Sequence, residues 1–161
     1  MHFIMWQPTE EQINNSQMMD YMQLVNQKFG LSLKKYSQLY DWSIEKAEDF
    51  WGSFWEYSQI IHHSPYSQVV DDLGKMPGAK WFDGATLNFT ENLLRPRDDK
   101  IAIHFYGEDG TQSSLSFREL HDQVARLARS MREMGIVKND RVAGFMPNIP
   151  ETIITMLATA S

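Results

Sequence analysis

Leu120, Val124, Leu127, Met131 and Met134 recur at steps of four and three residues, which places them on one apolar stripe of a 3.6-residue helix. Ser116-Phe117-Arg118-Glu119 has the spacing of a capping box and predicts where that helix starts, and Gly135 predicts where it ends. The pattern then changes. Val142-Ala143-Gly144-Phe145-Met146 is a short unbroken apolar run, suited to a strand buried on both faces, and a strand after a crossover helix is expected to lie parallel to the one before it. Pro150 and Glu151 suit a first helical turn, and Ile153, Ile154, Met156, Leu157 and Ala158 make that next helix strongly apolar. No glycine, proline or basic last turn closes it before Ser161, so the pattern predicts the front part of a longer protein whose sheet is completed elsewhere.

Upstream of this unit, Ile101–Tyr106 is β-branched and aromatic enough for a strand, joined through Gly107-Glu108-Asp109-Gly110 to Ser113-Ser114-Leu115 as a hairpin. Asn88 with Glu91 three residues on predicts a cap for a short helix through Leu94. Met76-Pro77-Gly78-Ala79 has the residues of a type II turn. The first part of the chain is helical in pattern. Thr9-Glu10-Glu11-Gln12 is a second capping box, for a helix running through Met18, Met22, Val25 and Phe29 to Gly30, with Leu31 packing back after it. Tyr36 to Asp41 fits one or two turns, and Ser43 is positioned to cap a further helix in which Ala47, Trp51, Phe54, Trp55 and Ser58 share a face. Fifteen of the twenty aromatics, including all five tryptophans, fall within residues 1–82, as expected of short helices that need large packing partners.

The expected architecture is therefore α/β: an aromatic-rich helical N-terminal cap over residues 1–75, then residues 76–161 as the opening hairpin, crossover helix and parallel strand of an incomplete large α/β domain. Fifteen basic against 21 acidic side chains give a net charge of −6, which disfavours nucleic acid as a partner. With no cysteine, disulfides and thiolate chemistry are excluded, and a cytoplasmic location is the default. The start, Met1 to Pro8, has neither a basic flank nor a long apolar core, and no run approaches the roughly 18 apolar residues of a membrane span.

Candidate chemistry is sparse. His62-His63 invites a metal, but adjacent helical residues point about 100° apart, whereas paired helical ligands sit three or four apart. Arg126, Arg129 and Arg132 can hold an anion together, although Asp122 and Glu133 four residues away favour a solvated charged face. Gly107 and Gly110 are too few for a phosphate-cradling loop. Lys80, beside Pro77-Gly78 and Trp81-Phe82, can reach a carboxylate or phosphate, or simply keep a turn wet. The tryptophans can line a pocket, but a stripe at helical spacing is more often core.

Two stretches carry a likeness. Pro77-Gly78-Ala79-Lys80-Trp81-Phe82-Asp83-Gly84-Ala85-Thr86-Leu87-Asn88-Phe89-Thr90-Glu91-Asn92-Leu93-Leu94, and Asp140 to Glu151 continuing to Ser161, resemble the acetoacetate–CoA ligases within the AMP-forming acyl-CoA synthetases. The resemblance runs through the whole chain, including Thr9 to Asn15 and Leu39 to Trp55. It implies an enzyme that activates acetoacetate with ATP and Mg²⁺ and transfers the acyl group to coenzyme A. The family's phosphate loop, nucleotide contacts and mobile-domain lysine would lie beyond Ser161. No catalytic, cofactor-binding or metal-binding residue is therefore carried onto this chain, and the fragment alone is expected to be inactive with no cofactor bound. A small carboxylate is the implied partner of the full-length enzyme, and the fragment is expected to self-associate through the strand edge at Arg141 to Met146 or through the apolar end of its last helix. The alternatives are an acetyl- or propionyl-CoA synthetase fragment and a non-catalytic interaction module.

Overall fold

The computed structural model describes residues 5–161. The Met1–Ile4 part of the leader reading lies outside the described residues, and no helix among them is long and apolar enough to cross a membrane. The chain divides into two compact units. One takes the residues up to Ile60 together with Pro65–Ala85, and the other takes Ile61–Ser64 with Thr86–Ser161.

The first unit holds α1 (Glu10–Asn14), α2 (Gln17–Phe29), α3 (Tyr36–Glu45) and α4 (Ala47–Tyr57), plus a two-stranded antiparallel ribbon of β1 (Gln68–Val70) and β2 (Trp81–Asp83). Thr9 and Gln12 form the expected capping box. The single helix expected from Thr9 to Phe29 is nevertheless two. Ser16 takes an extended backbone and its hydroxyl accepts the Met19 N–H, so it starts α2 afresh. Gly30 ends α2 in the left-handed conformation (φ 66°), and Leu31 N–H returns to Asn26 O at 3.0 Å, the Schellman closure. Ser43 caps nothing: it lies inside α3, donating its hydroxyl to Tyr40 O at 2.7 Å, and the break comes at Lys46. Gly78 has the positive φ expected of it (117°), and the Met76–Pro77 peptide is cis.

Tyr21, Met22, Val25, Leu39 and Trp42 form the core of this unit, with Phe29, Phe50 and Tyr57 packed on it. Tyr21 is the hub. Its ring meets Phe50 and Phe54 edge-on at 5.8 and 5.6 Å, and its hydroxyl sits 2.9 Å from Ser53 Oγ, also donating to Phe50 O. Burial raises the Tyr21 pKa, the Ser53 hydrogen bond opposing it in part. The other face of α4 meets the ribbon: Trp51 lies edge-on to Trp81, and Trp55 lies tilted against Phe82 with ring centroids 4.4 Å apart.

The second unit holds α5 (Phe89–Leu93), β3 (Ile101–Tyr106), β4 (Gln112–Ser116), α6 (Phe117–Glu133) and α7 (Pro150–Ala160). β3 and β4 pair antiparallel from Ile101 opposite Ser116 to Tyr106 opposite Gln112, closed by the expected turn. Ser116 and Glu119 form the capping box, with Ser116 N–H donating to Glu119 Oε2 at 2.8 Å and Glu119 N–H to Ser116 Oγ at 3.2 Å. Leu120, Val124 and Met131 of the stripe are buried together with Ala128, against Ile154, Leu157 and Ala158 of α7. Met134, at the far end of the stripe, is 70% exposed.

The fold class is α/β, with the hairpin and crossover helix where the pattern put them. The strand after the crossover is not formed. Residues 142–146 have no ladder partner among the described residues, and Phe145 is fully exposed, because a strand exists only by pairing and none is offered here.

Leu157 is completely buried. Leu157→Ala is expected to destabilise by about 2–5 kcal/mol, whereas Met134→Ala is expected to stay within about 0.5 kcal/mol. Urea unfolding read by circular dichroism checks both, and equal effects would contradict the assigned packing.

Candidate functional site

The polar side chains of the 86–94 segment hold backbone in place. Asn88 Oδ1 caps α5 by accepting the Glu91 N–H at 3.0 Å. Its amide donates to Ala160 O at 2.9 Å, and Thr90 Oγ1 donates to Leu157 O at 3.0 Å. Asn92 brackets Ile61, accepting its N–H at 2.8 Å and donating to its carbonyl at 2.9 Å. Arg132 of α6 adds a third donor to the end of α7, reaching Ser161 O at 3.3 Å. Two carbonyls in the last turn of α7, those of Leu157 and Ala160, thus receive side-chain donors from Thr90 of α5 and from its N-cap Asn88.

Because α5 and α6 both reach the same helix end, they leave a cleft of about 660 Å³ between them. Leu94, Val124 and Ala128 give it an apolar floor. His63, Arg95, Arg97, His121 and Arg132 stand around it with Glu91 as the one acidic lining residue. Glu91 Oε2 lies 3.0 Å from His63 Nε2.

His63 and Arg132, read separately in the sequence, thus share one cleft. The signal that would have found it is the second periodic row of α6: His121, Ala125, Ala128 and Arg132 recur at steps of three and four on the face beside the apolar stripe. The other arginines do not join. Arg129 pairs with Glu133 at 2.8 Å, as the spacing suggested, and Asp122 instead lies 3.4 Å from His121 Nδ1. No group of three or more His, Asp or Glu among the described residues can hold a metal ion. Gly107 and Gly110 form the hairpin turn, joined by a Gly110 N–H to Gly107 O bond of 3.0 Å.

Lys80 sits at the end of a tied loop. Its backbone N–H donates to Asp71 Oδ1 at 2.7 Å, and Lys75 Nζ binds Asp71 Oδ2 at 2.8 Å. First the Lys75 hydrogen bond and then the Lys80 N–H hold the Asp71 carboxyl down to about 2.

A family model described as Acetyl-coenzyme A synthetase N-terminus matches residues 36–93, and one described as AMP-binding enzyme matches residues 89–161. The acetoacetyl-CoA synthetase of Macaca fascicularis is 39% identical over 161 residues, covering 98% of this chain and 24% of that protein. A malonamoyl-CoA synthetase of Penicillium aethiopicum is 40% identical over 154 residues, covering 91% of this chain and 21% of that protein. A solved acetoacetyl-CoA synthetase from Streptomyces lividans superposes with a TM-score of 0.85 at 34% identity, over 96% of this chain and 24% of its own. The chain spans about a quarter of the length of the acetoacetyl-CoA synthetases it matches.

The Asp71 pKa is depressed, so its contribution to stability is present above the ordinary carboxylate value of about 4 and is lost as pH falls through about 2. An NMR titration is expected to give a midpoint near 2 for Asp71. In Lys75→Met the midpoint is expected to rise toward about 4, and an unmoved midpoint would mean that Lys75 does not hold the carboxyl.

Proposed function

We propose that this chain, which belongs to the AMP-forming acyl-CoA synthetases and is allied to the acetoacetyl-CoA synthetases among them, is the leading part of an enzyme that activates acetoacetate. That enzyme uses ATP and Mg²⁺ to form acetoacetyl-AMP and pyrophosphate, then passes the acyl group to the thiol of coenzyme A. The observation that carries the reading is continuous correspondence: 98% of the chain matches one such enzyme, and the likeness extends to the fold.

The residues of this chain serve the longer enzyme as scaffold. Asn88, Thr90 and Asn92, within the stretch that most resembles the family, are spent on backbone carbonyls and amides. Neither glycine of the hairpin belongs to a phosphate loop, and the adenylation is assigned to groups outside this chain. The chain alone is inert, with no catalytic, cofactor or metal residue of its own. In the longer enzyme residues 1–75 form the helical cap and residues 76–161 open the large α/β domain. We assign the enzyme to the cytoplasm, with a small carboxylic acid and no nucleic acid as partner, in keeping with the net charge of −6 and the absence of cysteine. The chain by itself associates with further copies through the unpaired backbone of residues 141–146, where Val142, Met146 and Met156 line an apolar groove.

The malonamoyl-CoA synthetase relative, no less identical than the others, favours a second reading in which the acid is another short β-carbonyl acid. The full-length protein, given ATP, Mg²⁺ and a panel of acetoacetate, malonamate, acetate and propionate, is expected to release pyrophosphate fastest with acetoacetate. Preference for another acid would replace the substrate, and release by the 161-residue chain alone would refute its role as scaffold.

A further inference from the structure

The geometry points to the cleft between α5 and α6 as a binding site for a phosphate-bearing small molecule, held by Arg97 and Arg132 with His121 beside them. This inference is independent of the acyl-activating reading.

Charge is the first support. The chain as a whole is acidic at −6, yet the lining of this cleft carries three arginines against one carboxylate. The carboxylates nearest in sequence are engaged by other cations. Asp99 pairs with Arg118 at 2.9 Å, Asp98 with Lys100 at 3.6 Å, and Glu133 with Arg129 at 2.8 Å. Glu91, inside the cleft, lies against His63. The positive charge of Arg97 is therefore not cancelled by a paired acid side chain, and a concave apolar wall behind it strengthens its field.

Shape and chemistry are the second support. A volume of about 660 Å³ lies within the range of small-molecule sites, and an apolar floor with a few convergent polar groups is their usual composition. A guanidinium presents parallel N–H donors that match two oxygens of one phosphoryl group, and two arginines on different elements can take two such groups. Arg97 follows α5 and Arg132 lies on α6, so the ligand bridges them. Arg132 donates one N–H to Ser161 O and has further N–H groups to offer a ligand.

Isothermal titration calorimetry of the 161-residue chain with inorganic pyrophosphate at low ionic strength tests this. Saturable binding is expected, weakened about tenfold by Arg97→Ala and less by Arg97→Lys, which keeps the charge but loses the fork. Arg126→Ala is expected to leave it unchanged. Glycerol phosphate and pyrophosphate arms separate a single phosphoryl group from a diphosphate, and binding of either supports the site. Loss of affinity in Arg97→Ala, with a circular dichroism spectrum matching the parent, assigns the effect to the cleft. No saturable heat with either phosphate, equal binding of acetate, or an equal loss in Arg126→Ala would each overturn the proposal.

Discussion

An eleven-residue helix composed almost wholly of Ile, Thr, Ala, Met, Leu and Pro has little stability of its own in water, and α7 exists because α6 offers it a matching apolar stripe. The two helices bury Leu120, Val124, Ala128, Met131, Ile154, Leu157 and Ala158 against each other and against Leu94. At roughly 25 cal/mol per Å² of apolar surface removed from water, this is the principal favourable term of the unit. Apolar burial alone would leave the last carbonyls of α7 without donors. Asn88 and Thr90 supply two of them, those of Ala160 and Leu157, so the burial that makes α7 a helix also fixes where α5 must sit. Through Asn92 the same requirement holds Ile61, and the chain from 61–64 becomes part of the unit although α5 lies more than twenty residues on.

The first unit solves a similar problem with rings. α2 and α4 are short, and Tyr21 joins them by meeting Phe50, Phe54 and Tyr57 while sending its hydroxyl to Ser53 and to Phe50 O. An aromatic ring supplies large contact area for few rotatable bonds, and the hydrogen bonds to Ser53 and to Phe50 O offset part of the cost of burying the hydroxyl. Tyr21 and Trp42 put part of the aromatic excess of the first 82 residues into the core, while Trp6, Tyr36, Tyr40, Trp51, Phe54 and Trp81 keep an exposed face. Of the tryptophans that can line a pocket, Trp42, Trp51 and Trp55 pack instead on neighbouring rings and on the ribbon, and Trp6 is exposed.

What the sequence made legible follows from the range over which each rule acts. The Thr9–Gln12 and Ser116–Glu119 boxes, the Asn88 cap and the Gly30 and Gly135 endings all act within about five residues, and each stands where its pattern put it. Errors arose where two local signals competed. Thr9 and Ser16 are both good caps in one amphipathic stretch, and the later one wins α2. Ser43 satisfies its hydroxyl by bonding backwards inside α3, which its residue type cannot reveal. Errors also arose where the decisive partner is remote. The end of α7 carries no closing residue of its own, yet it is closed by side chains 67 and 72 positions away, Thr90 and Asn88. Conversely, residues 142–146 read as a strand because their composition suits one, while pairing depends on a neighbour that no local rule supplies. The cleft was missed for a related reason: its charges come from the 61–63 stretch, the segment after α5 and the second face of α6, and only the fold unites them.

The stretch that makes the family legible is also a reason that the chemistry is not. Asn88, Thr90 and Asn92 are polar residues in an apolar setting, the sort of residues a reader of sequences inspects for catalysis. Each is bound to backbone, and for each the geometry is demanding: an amide with the wrong reach, or an isosteric apolar side chain, leaves a carbonyl of α7 or the peptide at Ile61 without its partner. Such positions tie a sequence closely to one fold without touching any substrate. A fold can in turn carry many reactions, so the likeness in this stretch speaks for the scaffold directly and for the reaction only through the company it keeps. In this fold Asn88, Thr90 and Asn92 are engaged with backbone, and that engagement is what their polarity serves here.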